Sequence, residues 1–129
     1  MKYKILIDSN MFFLPFYENF DIINELKNFL EKNNIEYEGF YTLRKNIIEI
    51  ENKIKTAKSE KWKRIYNMVL EYIKKNNINI IDTGKNWEKT DRLIVETSLS
   101  DKFIVCTQDK NLRKILKGLK IPVIFYANK

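Results

Sequence analysis

The feature of this sequence that most restricts its fold is a pair of short, mainly apolar segments, Tyr3–Ile7 and Phe103–Cys106. Each is too short for a buried helix and is followed at once by polar turn residues, which is typical of a strand covered on both faces. The first segment ends at Asp8, and the second is followed by Thr107 and then by Asp109. The sequence therefore predicts a sheet whose inner strands end in carboxylates.

Apolar residues at helical spacing alternate with further short strand segments along the rest of the chain. Helices are predicted at 21–32, after Thr42, after Ser59 as the N-cap, at 87–99 and at 109–117. Additional strands are predicted at 38–41, 79–81 and 122–126. This alternation predicts an α/β fold, a mostly parallel sheet with helices on both faces. Binding sites in such sheets form beyond the carboxyl ends of the strands.

The composition excludes several classes of protein. With 129 residues the chain fits one domain, 1–129, and it contains one Cys and no His. These counts exclude a disulfide scaffold, most zinc sites and every catalyst that depends on histidine. No segment approaches the roughly 20 apolar residues of a membrane span, and no signal peptide is evident, so we expect a cytoplasmic protein. Any catalysis must come mainly from carboxylates.

Three aspartates stand where strands end or helices begin: Asp8, Asp91 and Asp109. Each by itself has an ordinary explanation as a helix cap or turn residue. If the three converge, they require a cation to remain ionised together. Oxygen ligands without His or Cys favour Mg²⁺ or Mn²⁺ as cofactor. Such an ion in a basic protein indicates phosphoryl chemistry.

The net charge of +7 is concentrated in two segments. Residues 53–75 carry eight basic and two acidic side chains, and 110–120 carry five basic side chains and no acid. Either segment is explained as a solvated helix face, but together with a metal site they favour RNA as the partner. Trp62 and Tyr66 lie on the apolar stripe of their helix and are predicted to be core residues, with base stacking as the alternative. The predicted contacts to the RNA backbone are Lys61, Lys63, Arg64, Lys110, Arg113 and Lys114.

The segments around these acids resemble the PIN domain family of small metal-dependent ribonucleases. The matching segments, in the family's order, are Ile5-Leu6-Ile7-Asp8-Ser9-Asn10, Thr90-Asp91-Arg92-Leu93-Ile94, Ile104-Val105-Cys106-Thr107-Gln108-Asp109 with Leu112 and Arg113, and Ile121-Pro122-Val123-Ile124. Together they span nearly the whole chain. The resemblance implies a three-layer α/β/α sandwich with a four- or five-stranded sheet. It also implies an acidic pocket for Mg²⁺ or Mn²⁺ and hydrolysis of RNA.

The resemblance assigns roles to individual residues. Asp8 corresponds to the family's first acid, Asp91 to its third and Asp109 to its fourth, so these three are the expected metal ligands and catalytic acids. Asn10 corresponds to the small polar residue after the first acid, and Thr107 to the hydroxyl before the fourth. Both are expected to orient the ligands or water by hydrogen bonds without binding the ion themselves.

The second acid is where the sequence departs from the family's pattern. The family has a Glu followed by an aliphatic residue on a helix, and Glu49 before Ile50 fits it. On an ideal helix, however, Glu49 lies away from the apolar stripe, whereas Glu51 lies beside it. We prefer Glu49 as the catalytic residue and keep Glu51 as the alternative. If neither acid serves, the chain is a non-catalytic RNA-binding or ribosome-assembly module.

The resemblance also implies two biological settings and their partners. Members serve as toxins of VapBC-type pairs, with an antitoxin as partner, or as processing nucleases for ribosomal RNA. A homodimer is a further implication. The residues considered for its contact are Phe12, Phe13, Phe16 and Tyr17, with core packing as the alternative.

Overall fold

The computed structural model describes residues 2–17 and 21–127, and its centre is a parallel sheet of five strands. The strands are β1 (Tyr3–Ile7), β2 (Tyr37–Leu43), β3 (Asn79–Ile81), β4 (Phe103–Cys106) and β5 (Val123–Ile124). Their order across the sheet is β3-β2-β1-β4-β5. Because β1 and β4 are central neighbours, the residues that follow them meet at the same edge. The predicted α/β class with a parallel sheet is confirmed.

Helices connect the strands and cover the sheet. They are a 3-10 helix (Ser9–Phe13), α1 (Leu14–Tyr17), α2 (Ile22–Lys32), α3 (Arg44–Thr56), α4 (Glu60–Lys75), α5 (Thr90–Ser100) and α6 (Lys110–Gly118). Side chains of Asp21, Ser59 and Asp109 cap α2, α4 and α6 by accepting hydrogen bonds from backbone N–H groups of the first turn. Within the described ranges, no helix combines the length and apolar character that crossing a bilayer requires.

Two separate apolar cores lie on the two faces of the sheet. Along β1, Ile5 and Ile7 belong to the core that includes α2, α3 and α4, whereas Leu6 belongs to the core that includes α5 and α6. The alternation follows from the two-residue period of a strand. All three side chains have 0% exposure, as expected for a strand buried on both faces. The three-layer arrangement is therefore confirmed.

Two details of the predicted boundaries are wrong. The helix predicted at 87–99 begins only at Thr90, because the residues before it form a turn in which the N–H of Glu88 donates to the carbonyl oxygen of Lys85 at 2.9 Å. Thr42 does not cap the following helix. It lies inside β2, where its hydroxyl is 2.8 Å from the carbonyl oxygen of Ile7 and ties β2 to β1.

The aromatic residues after Asp8 pack mainly inside the protein. Phe12 is 0% exposed and contacts the edge of Tyr72, and Phe13 is 8% exposed. Phe16 is half-buried against the same core, and the side chain of Tyr17 lies outside the described residues. The prediction of an exposed dimer surface is wrong for Phe12 and Phe13, because an aromatic side chain on a 3-10 helix beside an inner strand gains most by burial.

Candidate functional site

Asp8 is a buried carboxylate held at the carboxyl end of β1. It is 7% exposed and forms the N-cap of the 3-10 helix. Its Oδ1 accepts hydrogen bonds from the N–H of Ser9 at 2.9 Å and from Nδ2 of Asn46 at 3.1 Å. Its Oδ2 accepts one from Oγ1 of Thr107 at 2.8 Å. Donors from three parts of the fold therefore fix this carboxylate in one orientation.

The surroundings of Asp8 disfavour the ionised form of its carboxyl group. Burial raises the pKa of this carboxyl, and the negative charges of Glu49 and Asp91 raise it further. The hydrogen bonds from Thr107 and Ser9 act in the opposite direction, but the pKa remains above its ordinary value. Acids from three different elements are thus close enough to repel one another.

Asp91 and Asp109 extend this acidic group. Burial and the charge of Asp109 raise the pKa of Asp91, while Lys89 lowers it. Asp91 is in the first turn of α5, and Asp109 is the N-cap of α6, where its Oδ1 accepts a hydrogen bond from the N–H of Leu112 at 3.1 Å. Asp109 is therefore both the cap of α6 and a member of the acidic group. We call Asp8, Glu49, Asp91 and Asp109 the carboxylate cluster.

The structure places Glu49, and not Glu51, at the carboxylate cluster. Oε2 of Glu49 accepts a hydrogen bond from Oγ1 of Thr90 at 2.7 Å, which joins α3 to the start of α5 beside Asp91. Glu51 instead forms an ion pair with Arg44 at 3.7 Å. Glu51, which lies beside the apolar stripe, therefore does not reach the cluster. The cluster lies at the margin of the buried face of α3, where Glu49 is half-buried.

Asn46 supports the cluster and was not identified from the sequence. This amide is 1% exposed on α3, where its Nδ2 donates to Asp8. Its Oδ1 accepts a hydrogen bond from the N–H of Leu43 at 3.2 Å, which fixes the orientation of the amide. The available signal is its position one helical turn before Ile50, because a buried amide on an apolar helix face requires a polar partner.

Thr107 and Asn10, both predicted to orient ligands or water, connect the ends of β1 and β4. Thr107 is 0% exposed and donates its hydroxyl to Asp8, while its Oγ1 accepts a hydrogen bond from the N–H of Asp109 at 3.2 Å. Oδ1 of Asn10 accepts a hydrogen bond from the N–H of Gln108 at 3.3 Å. Thr107 thus contacts Asp8 directly, whereas Asn10 holds the adjoining backbone.

The predicted backbone-binding residues of α6 are beside the cluster. Lys110 and Lys114 are exposed on the helix that Asp109 caps. The guanidinium of Arg113 lies 3.8 Å from the ring centre of Phe125, which fixes its position by a cation–π contact. These three cations are available to an anionic strand that passes the start of α6.

The predicted binding residues of α4 do not form one surface. Lys61 and Arg64 are exposed, and Lys63 lies 3.7 Å from the carboxylate of Glu60. Lys63 is two positions after Lys61, so these two side chains extend from nearly opposite sides of the helix. Trp62 was predicted to be a core residue, but it is 38% exposed because α4 lies at the margin of the fold.

The donor chemistry of the cluster fits a hydrated Mg²⁺ or Mn²⁺ ion. All its donors are carboxylate oxygens, which these cations prefer, and their mutual repulsion is relieved by a positive ion. Across residues 2–17 and 21–127, no three side chains of Asp, Glu, Cys or His are arranged to hold a metal ion together. The fit is therefore to an ion that keeps several waters and takes few direct protein ligands, as Mg²⁺ usually does.

The hydroxyl of Thr107 provides a test of this arrangement. We expect Thr107→Val to lower metal affinity and any metal-dependent activity by roughly 10–100-fold, because it removes a donor to Asp8 at nearly unchanged volume. Thr107→Ser keeps the donor and is expected to restore most of the loss. Titration with Mn²⁺ measures the affinity. Equal losses in both variants would indicate that the methyl group, and not the hydroxyl, is what matters.

Comparison with known proteins supports the architecture. The chain matches no protein-family model and no curated protein sequence. It is similar to the solved structure of the PIN domain endonuclease Utp24, with a TM-score of 0.75 and 20% sequence identity. The similarity covers 98% of this chain and 86% of that one. The chain therefore has the PIN-domain fold.

Proposed function

We propose that this protein is a metal-dependent endoribonuclease that hydrolyses phosphodiester bonds of RNA. The observation that carries the proposal is a buried carboxylate, Asp8, that Asn46 and Thr107 hold at the end of β1, with Asp109 bonded to the same threonine. Thr90 links Glu49 to the start of α5 beside Asp91. Acids gathered in this way at the carboxyl edge of a parallel sheet are typical of sites that bind a cation. The fold it shares with a PIN domain endonuclease and the net charge of +7 support the same conclusion.

Asp8, Asp91 and Asp109 are the residues that would hold the hydrated ion, directly or through its water molecules. Bound there, Mg²⁺ or Mn²⁺ supplies positive charge to the phosphate and orients a water molecule for attack. Asp8 provides the rigid part of the site, because Thr107 and Asn46 fix its two oxygens. Asp91 and Asp109 approach from the starts of two helices, which allows the site to accept water molecules along with the ion.

Glu49 is the proposed general base. Thr90 donates a hydrogen bond to its Oε2 and so fixes one oxygen of the carboxylate. The other oxygen, Oε1, would accept the proton of the attacking water. Lys110, Arg113 and Lys114 are assigned to the phosphate backbone, where they contribute affinity but little sequence preference. The non-catalytic alternative depended on a missing second acid, and the bond of Glu49 to Thr90, in the cleft that Asp91 also lines, favours catalysis.

The resemblance noted in the sequence extends this proposal to a biological setting in the cytoplasm. It predicts either a toxin that acts on RNA and is bound by an antitoxin, or a nuclease that processes ribosomal RNA with ribosome-assembly partners. A gene for a small antitoxin beside this one would favour the first role. Homodimer formation is a separate proposal, to be measured by sedimentation.

Cleavage of a mixture of RNAs in Mg²⁺, in Mn²⁺ and in chelator tests the activity. We expect scission only with metal. Glu49→Gln is expected to lower the rate by roughly 10²–10⁴-fold, the usual contribution of a general base. The matched control is Glu51→Gln, the same change on the same helix at a residue paired with Arg44, and it is expected to cleave at nearly the wild-type rate.

The pair of variants separates three results. Loss of cleavage in Glu49→Gln with activity kept in Glu51→Gln supports the assignment. The reverse result would make Glu51 the second acid. Cleavage that persists in chelator, or that neither variant nor Asp109→Asn affects, would refute a metal-dependent activity of the carboxylate cluster.

A further inference from the structure

Trp87 is an unusually exposed aromatic residue beside the carboxylate cluster. It is 76% exposed, although tryptophan side chains are mostly buried in folded proteins. It lines a cleft of about 400 Å³ together with Lys45, Glu49 and Asp91. A large aromatic surface is therefore presented to solvent next to two of the acids assigned to catalysis.

The other tryptophan, Trp62, lies near the residues that directly follow Asp8 in the chain. It lines a second cleft, of about 290 Å³, with Asn10 and Lys53. Its ring centre is 5.8 Å from that of Tyr66, and the two ring planes differ by 31°. Tyr66 therefore supports the tryptophan from within the fold, while 38% of Trp62 stays accessible. The protein contains two tryptophans: the cleft of Trp87 includes two acids of the cluster, and the cleft of Trp62 includes Ser9 and Asn10, which directly follow Asp8.

One face of α3 connects the two clefts. Lys45 and Glu49 line the cleft of Trp87, and Lys53 lines the cleft of Trp62. These three residues are spaced by four and so lie along one side of the helix, spanning about 12 Å. Lys45 uses one N–H to donate to the carbonyl oxygen of Asn86 at 2.7 Å, which leaves its other two for an anion. Cations thus flank the proposed general base on both sides.

We propose that Trp62 and Trp87 are stacking platforms for unpaired nucleobases on the two sides of the cleaved phosphate. Lys45 and Lys53 contact the neighbouring phosphates, so the RNA strand lies along α3 and passes Glu49. This proposal rests on the nuclease function above and specifies its substrate as single-stranded. Bases within a duplex are stacked on one another, whereas a single strand can turn its bases onto aromatic side chains.

Binding in chelator tests the platforms without cleavage. The probes are a fluorescein-labelled oligouridine RNA, an abasic strand of the same length, and the oligouridine annealed to oligoadenosine. We expect Trp87→Ala to weaken binding of oligouridine about 10-fold, within the range for one stacked base. Binding of the abasic strand should be unchanged by the substitution. Tryptophan fluorescence of the wild type should be quenched by oligouridine and not by the abasic strand.

Further variants complete the design. The double variant Trp62→Ala with Trp87→Ala removes both platforms and should bind oligouridine no better than the abasic strand. Trp62→Phe keeps an aromatic ring on Tyr66 and should retain most of the binding contributed by that platform. Phe29→Ala, at a 45% exposed aromatic residue on α2, is the matched control and should bind as the wild type does. Wild-type protein that does not distinguish oligouridine from the abasic strand, or that binds the duplex as tightly, would overturn the proposal.

The outcome is distinguishable from that of the nuclease proposal. Binding that depends on the tryptophans in a protein that cleaves nothing with Mn²⁺ would support the platforms and reject the nuclease. If the protein cleaves RNA with Mn²⁺ and the substitutions at Trp62 and Trp87 leave RNA binding unchanged, the stacking platforms are rejected and the nuclease proposal stands.

Discussion

Asp8→Asn is expected to lower metal-dependent cleavage of RNA on the order of 10³-fold, while RNA binding in chelator stays within about twofold of wild type. The physical reason is that asparagine preserves the shape of the side chain and removes its charge. Its Oδ1 can still accept from Ser9 and Asn46. The measurement is the single-turnover cleavage rate at saturating Mn²⁺, compared with the binding constant of the same RNA.

The same variant is expected to unfold at a higher temperature than wild type in chelator. Burial and neighbouring acids raise the pKa of Asp8 in the folded protein. The folded state therefore binds the proton more tightly than the unfolded chain, so stability falls as pH rises from the ordinary pKa through the raised one. At neutral pH the ionised carboxylate is destabilising, and asparagine removes that cost.

Addition of Mn²⁺ should make the wild type more stable than Asp8→Asn. An ion at 100 times its dissociation constant stabilises the wild type by about 2.7 kcal/mol, or roughly 10 °C in melting temperature. Asp8→Asn should gain little. Thermal unfolding with and without metal measures both effects. A variant that cleaves at the wild-type rate, or whose melting temperature rises with Mn²⁺ as much as that of wild type, would remove Asp8 from the metal site.

The fold could be predicted from the sequence because its strongest signals are local. Tyr3–Ile7 and Phe103–Cys106 are mainly apolar over the full length of a strand, and both strands are found with these bounds. The caps Ser59 and Asp109 were also identified, because N-cap preference depends on the residue type and its immediate neighbours. The start of α5 was not identified, because a turn closed between Lys85 and Glu88 overrides the helical spacing.

The site could be predicted only in part because its contacts join residues distant in the sequence. The strand-end rule and the family resemblance predict Asp8 and Asp109 from the sequence alone. The support from Asn46 depends on how α3 is rotated against β1, which one chain's periodicity does not specify. The exposure of Trp87 depends on a connection without regular structure. The choice between Glu49 and Glu51 could not be made for the same reason. Ideal helix geometry gives the direction of each side chain around the axis, but not which part of the protein lies in that direction.

Phe12→Ala is expected to lower the free energy of unfolding by about 3–5 kcal/mol, the usual cost of truncating a buried phenylalanine. Phe12 is fully buried in the core on the side of α2, α3 and α4, and its ring contacts the edge of Tyr72, with 6.4 Å between ring centres. Such a loss is a large fraction of the 5–15 kcal/mol that is typical of a domain. Denaturation by urea, followed by circular dichroism, measures it.

The matched control is Phe29→Ala, where the side chain is 45% exposed and the expected cost is at most about 1 kcal/mol. The comparison also decides between the two uses of the aromatic segment considered from the sequence. A dimer contact at Phe12 would change the sedimentation of the protein and leave its unfolding at low concentration unaffected, which would contradict its place in the core. Because Asp8 caps the 3-10 helix that carries Phe12, we expect loss of this core contact to loosen the carboxylate as well, so cleavage by Phe12→Ala should fall even below its unfolding temperature.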